Sequence, residues 1–185
     1  MQKSLSVAAL IALIALAPAC GKKEDPAKPE DRLCGGETGV GLRVKGRASP
    51  LDVCVADPDV DMGITTINLD EYYDLTARMV SGGDIFEIQL LFPKRPDFPV
   101  DLAPTGALAA LDTDSAWIYY QEIPQSGEAI ESELVTAGAF HLGFAASDVA
   151  TATLTGISLT MVRKSDGQPA GTRLIEEGFL SVSVK

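Results

Sequence analysis

The chain has 185 residues, room for one domain or two small ones, with one preferred once its tails are set aside. Apolar residues make up 46% and charged residues 22%, an ordinary globular composition that argues against wholesale disorder. Fifteen Lys and Arg against 26 Asp and Glu leave a net charge of −11, which disfavours a nucleic-acid partner because phosphate binding needs clustered cations. A single His removes most zinc sites and most His-based nucleophile–base pairs.

Met1–Lys3 carries one positive charge, and Leu5–Ala17 is then almost purely Leu, Ile, Val and Ala. Ala17-Pro18-Ala19 places small residues immediately before Cys20, completing the charged, apolar and small-residue regions of a secretory signal. The uncharged stretch Ser4–Gly21 is 18 residues long. It ends in Pro18, Ala19, Cys20 and Gly21, so its apolar part falls short of the ~20 residues of a membrane span. Leu16-Ala17-Pro18-Ala19-Cys20-Gly21 resembles the lipobox of bacterial lipoproteins. The resemblance implies removal of residues 1–19, lipid attachment at Cys20, and sorting to the outer membrane, because Gly21 rather than Asp follows the Cys. The motif departs from the commonest form in that Leu16 lies four residues before Cys20 rather than three, and in Pro18. Ala17-x-Ala19 also suits the ordinary signal peptidase, which would leave the same first residue on a soluble secreted or periplasmic protein. The likeness covers only the first twenty-one residues.

Cys20, Cys34 and Cys54 are the three cysteines. In an oxidising compartment two can pair and the odd one needs an explanation. Lipid on Cys20 would leave Cys34 and Cys54 for a disulfide that closes a loop of about 21 residues, contributing roughly 3 kcal/mol in the chain-entropy model. Removal of residues 1–19 takes away Lys3 and no acid, leaving 14 cations against 26 anions. Such a body gains nothing from an anionic bilayer surface. Membrane anchoring would instead come from acyl chains, at about 0.8 kcal/mol per buried CH₂. Residues 21–33 (GKKEDPAKPEDRL) are charged, Pro-containing and aperiodic, so residues 20–33 read as a lipidated Cys and a flexible linker.

From Cys34 to Lys185 the apolar pattern has period two, and these residues read as a single β-rich domain. Val40, Leu42 and Val44 alternate with polar or small residues, as do Leu51, Val53 and Val55. Within Asp70–Phe92, Tyr72, Leu75 and Met79 fall at helical spacing before Gly82. A hairpin turning at Gly82-Gly83 sorts the segment better. Residue numbers then sum to 165 across the pair, Tyr73, Leu75, Ala77 and Met79 share an apolar face, and Arg78 lies opposite Glu87. Asp74 opposite Leu91 is its one poor fit. Pro93–Pro99 holds three prolines and reads as a loop, and Ala107–Leu111 as a single helical turn. Ser115–Gln121 is a strand candidate. Phe140-Leu142-Phe144, Ile157-Leu159-Met161 and Leu180-Val182-Val184 are further stripes, Thr151–Thr155 is β-branched, and Lys164–Gly167 is a turn. Eight to ten strands with regular turn signals predict an all-β antiparallel sandwich, or alternatively a barrel.

Few side chains point to chemistry. Asp57, Asp59 and Asp61 alternate before Gly63 in the manner of a Ca²⁺ loop. The Gly comes one residue late, however, and Asn68 stands where a bidentate Glu belongs. An Asp/Pro/Gly turn with solvated acids fits the same residues. Trp117, Tyr119 and Tyr120 offer rings for stacking on a glycan or covering a protein partner, or else for the core. Asp112, Asp114 and Glu122 could supply the paired carboxylates of glycoside hydrolysis. His141 lies on the opposite face from Phe140 and Leu142. The resulting expectation is an exported, membrane-anchored lipoprotein of the cell envelope whose β-domain has a non-catalytic binding or scaffolding role. It needs no cofactor and has an envelope protein or glycan as partner. The alternatives are a Ca²⁺-dependent binding module and a carbohydrate-active hydrolase.

Overall fold

A computed structural model describes residues 33, 39–48, 50–56, 59–94, 99–146 and 149–183. The signal segment, Cys20, Cys34 and Asp57 lie outside the described residues. Leu33, placed at the end of the expected linker, is buried at 4% exposure. Ten strands follow: β1 (Gly39–Lys45), β2 (Leu51–Ala56), β3 (Asp61–Ile67), β4 (Asp70–Ser81), β5 (Asp84–Pro93), β6 (Val100–Thr105), β7 (Ser115–Ile123), β8 (Ile130–Ala146), β9 (Val149–Arg163) and β10 (Pro169–Ser183). They form one open sheet in the order β2-β1-β10-β9-β8-β6-β7-β5-β4-β3, with β8 also reaching β7. Every pairing is antiparallel except β6 with β7. The fold is all-β and sandwich-like.

The β4–β5 hairpin has the register its side chains predict, from Tyr73 opposite Phe92 to Ser81 opposite Asp84. Tyr73, Leu75, Ala77 and Met79 enter the core with Phe86, Ile88, Leu90 and Phe92 from β5. The poor fit is resolved on the outer face. Asp74 accepts a 3.1 Å hydrogen bond from Gln89, while Leu91 is covered in a small second cluster with Tyr72 and Leu111. Leu108–Ala110 form the expected helical turn, of 3-10 type.

A single sheet becomes two layers because its longest strands bend together. β8, β9 and β10 run 17, 15 and 15 residues. Near their middles Gly138, Gly156 and Glu176 lie side by side. Gly156 falls between Thr155, opposite Glu177, and Ile157, opposite Ile175. The β8–β9 register slips between Ala137 and Ala139, and the β1–β10 register slips beside Glu176. At each bulge the inward stripe changes phase. In β9, Ala150, Ala152 and Leu154 are followed by Ile157, Leu159 and Met161, and in β10, Ile175 is followed by Leu180 and Val182. Had either strand stayed straight and in phase, half of its apolar side chains would face water.

Folding over the bend brings the two ends of the sheet onto one core. Val40, Leu42, Val44 and Val53 from one end belong to the same buried cluster as Met62, Leu75 and Met79 from the other. The edge strands β2 and β3 are consecutive in the chain and run in the same sense. This path of two short strands begins on one edge and ends on the other, as a strand that switches layers does.

The bend generates a pair of expectations for chemical denaturation. A Cβ at Gly138 (φ +127°) would lie 2.6–2.9 Å from atoms of Ile157, so Gly138→Ala should cost about 3 kcal/mol. Gly156 (φ +62°) has open space around it, so Gly156→Ala should cost only about 1–2 kcal/mol of backbone strain. Equal or reversed losses would contradict this assignment of the bend.

Candidate functional site

Three polar constellations could carry function, and β7 contributes to two of them. Along β7, Ala116, Ile118 and Tyr120 face the core, and Glu122 continues that inward row at the end of the sandwich. The Glu122 carboxylate accepts two hydrogen bonds from Arg173 on β10, at 2.8 and 3.1 Å. The Tyr120 hydroxyl donates to it at 3.2 Å, and the Arg47 guanidinium lies 3.6 Å away. Arg47 also donates to Asp84 at 3.2 Å and sits 4.6 Å above the Phe86 ring. Asp84 in turn accepts the Gln125 backbone N–H at 3.0 Å, and Arg173 donates to the Gly46 carbonyl. Two cations and two anions balance, and among the described residues no buried side-chain polar atom lacks a partner. The arrangement is a charge-neutral plug in which desolvation is offset by a bidentate pair and its surrounding hydrogen bonds.

The outer face of β7 carries Trp117 and Tyr119. Their rings stack on each other with centroids 5.9 Å apart and planes 12° apart, so each covers a face of the other. Trp117 packs against the Tyr72–Leu91–Leu111 cluster and donates its indole N–H to the Gly106 carbonyl at 3.0 Å. The Tyr119 hydroxyl lies 2.6 Å from a Glu131 carboxylate oxygen and 2.8 Å from the Gln121 side-chain oxygen, which also accepts from Lys164. Of the three expected binding aromatics, Tyr120 is in the core, and Trp117 and Tyr119 are half-buried with their polar groups engaged. A flat, open ring platform is not formed.

The third constellation lies on the outer face of β8, β9 and β10. His141 is exposed opposite Asp101, with Nδ1 and Oδ1 2.7 Å apart. It forms the rim of a cleft of ≈ 330 Å³ lined also by Pro99, Gly143, Thr151, Thr153 and Phe179. Thr151 donates its hydroxyl to the Gly143 carbonyl at 2.6 Å. The cleft offers one half-buried ring, threonine side chains and a His–carboxylate pair, a set suited to binding a small polar ligand. Its residues come from Pro99 and from three strands between residues 141 and 180, which is why no local motif announced it.

The remaining candidates do not converge. Asp59 and Asp61 are exposed, and residues 61–67 extend as β3 instead of looping back. Asn68 therefore sits in the following turn, about 20 Å along the strand from Asp61. Among the described residues no three His, Cys, Asp or Glu side chains form a group able to hold a metal ion. Asp112 and Asp114 precede β7, where the Asp112 carboxylate accepts the Asp114 backbone N–H at 2.9 Å. Glu122 ends the same strand, about 26 Å further on. That separation is far beyond the roughly 5–9.5 Å of a glycosidase carboxylate pair.

The buried phenols make the β7 geometry testable in alkali. Burial, and then the Glu122 charge, push the Tyr120 phenol above its ordinary range. Burial and the hydrogen-bonded Glu131 do the same to Tyr119. Because both are harder to ionise folded than unfolded, their contribution to stability is complete below about pH 10 and is lost as the pH rises past it. Tyr120→Phe should leave the phenolate ultraviolet absorbance gained around pH 10 unchanged. A loss of that signal in the variant would show that Tyr120 titrates like a free tyrosine. Comparison with known proteins adds no name to this geometry: no family model, curated protein or solved structure matches the chain.

Proposed function

We propose that the chain is an exported bacterial lipoprotein, cleaved before Cys20, lipidated there, and tethered by residues 20–32 to a β-domain that binds an envelope ligand without catalysis. The export reading is supported by Cys54 on β2, to which the same proposal assigns a disulfide. Disulfides persist in oxidising compartments and are rare in the cytosol. The other two cysteines are Cys20 and Cys34, both outside the described residues. Lipid on Cys20 makes Cys34 the partner, and Leu33, buried beside it in sequence, brings that end of the tether against the domain. Outer-membrane sorting, from Gly21, belongs to the same proposal.

The non-catalytic reading rests on how the ionisable groups are used. Glu122 is held by two arginines and a phenol, and the carboxylates that might share work with it lie at the far end of its strand. The cleft beside His141 and Phe179, with its ring, threonines and His–carboxylate pair, is assigned to that ligand.

Metabolic labelling of producing cells with a fatty-acid probe tests the anchor. The wild-type chain should take up label and fractionate with membranes, and Cys20→Ser should lose both properties. Label that survives the substitution would refute lipidation at Cys20. A thiol assay on denatured, unreduced protein should find no free sulfhydryl, whereas two would overturn the Cys34–Cys54 pairing.

A further inference from the structure

The two edges of the sheet are not equivalent. On β2, Val53 and Cys54 are already engaged beyond their ladder to β1, Cys54 through its disulfide. β3 pairs with β4 alone, and among the described residues its other edge meets no strand. Natural edge strands are commonly blunted by Lys, Pro, a bulge or very short length. β3 (DMGITTI) has seven residues, none of them Lys or Pro, and its register with β4 runs from Asp61 opposite Thr76 to Ile67 opposite Asp70 without a slip. Unpaired backbone donors and acceptors are therefore presented in a straight row, ready to extend the ladder.

The side chains around this edge select what would pair with it. Asp61, Gly63 and Thr65 of β3 and Asp74 and Thr76 of β4 line a trough of ≈ 260 Å³ that Ile64 also borders. Gly63 forms its bare centre, since a Cβ there would meet nothing within 4 Å. Carboxylates of Asp61 and Asp74 flank the gap. Ile64 is 45% exposed at a position that alternation directs toward the core, and Leu69 is 96% exposed at the hairpin tip. An incoming strand would thus meet the acidic trough and, beside it, the exposed side chain of Ile64. A second copy of this chain is a poor occupant. Pairing β3 with itself would bring two acidic troughs onto one face and join two chains of net charge −11.

We infer that the β3 edge is a docking strand for an extended, basic segment of a partner protein, which adds an eleventh strand. A Lys or Arg of that segment fills the trough over Gly63 between Asp61 and Asp74, and its alternate apolar residues cover Ile64. Main-chain hydrogen bonds would supply attachment, and the trough would supply selectivity. This surface is separate from the His141 cleft and from the lipid anchor, so its failure would leave both standing.

The test uses the full chain in detergent and a fluorescent heptapeptide, Thr-Lys-Val-Lys-Val-Lys-Thr, with a counterpart carrying Glu in place of Lys. Anisotropy should show binding of the basic peptide at least about tenfold tighter than the acidic one, weakening with salt. Amide exchange should slow in residues 61–67 when the basic peptide is bound. Gly63→Val fills the trough while adding a β-branched residue to an uncrowded strand, so it should fold normally by circular dichroism and weaken binding about tenfold or more. Asp61→Lys should weaken the basic peptide and improve the acidic one. Binding of neither peptide, binding that ignores both substitutions, protection elsewhere on the sheet, or self-association through β3 would each overturn the inference.

Discussion

The fold depends on a bend shared by three neighbouring strands. A sheet of ten strands with one apolar face cannot bury that face while flat, and among the described residues there is no α-helix to cover it. Aligning Gly138, Gly156 and Glu176 lets β8, β9 and β10 turn at one level without losing their ladders. Each irregularity also shifts the side-chain phase by one, so that the inward row stays inward on both sides of the turn. The hydrophobic effect supplies the driving force, and the bulges decide where it can act.

The polar features follow from that geometry. Folding over leaves an open end, and at it β7 and β10 place Glu122 and Arg173 against each other, with Arg47 reaching over from the loop after β1. A carboxylate in this position is forced by alternation, because Glu122 is two residues beyond Tyr120 and four beyond Ile118. Its confinement among two guanidiniums and a phenol makes it a structural group. The surface left over is divided between the His141 cleft on the long strands and the unpaired β3 edge.

Much of this was legible in local pattern, and the limits have physical causes. The β4–β5 hairpin could be read residue by residue because a tight turn fixes register, and one register sorted both faces. The stripes at Val40–Val44 and Ile157–Met161 were visible for the same reason. The continuity of β9 was not, since Gly156 breaks the alternation between Leu154 and Ile157 and makes one strand look like two. The parallel β6–β7 contact spans only three residue pairs, and the cleft joins Pro99 to residues on β8, β9 and β10, where no short-range signal operates. Glu122 shares with Asp112 and Asp114 only its place near Trp117, and its alternation with Ile118 and Tyr120 puts it on the core face. Asp59 and Asp61 suggested a loop because Asp and Gly favour turns. The β-branched run Ile64-Thr65-Thr66-Ile67 and its pairing with β4 prevailed instead.

The most direct test of the folded-over sheet is a double-mutant cycle between Glu122→Gln and Arg173→Met, read by urea denaturation. β7 and β10 are not hydrogen-bonded neighbours in the sheet, so these side chains interact only if the two layers face each other. A coupling free energy of about 2–3 kcal/mol is expected for a mostly buried bidentate pair. Losses that add to within about 0.5 kcal/mol would mean that the two strands do not meet across the interior, and the two-layer arrangement would be wrong.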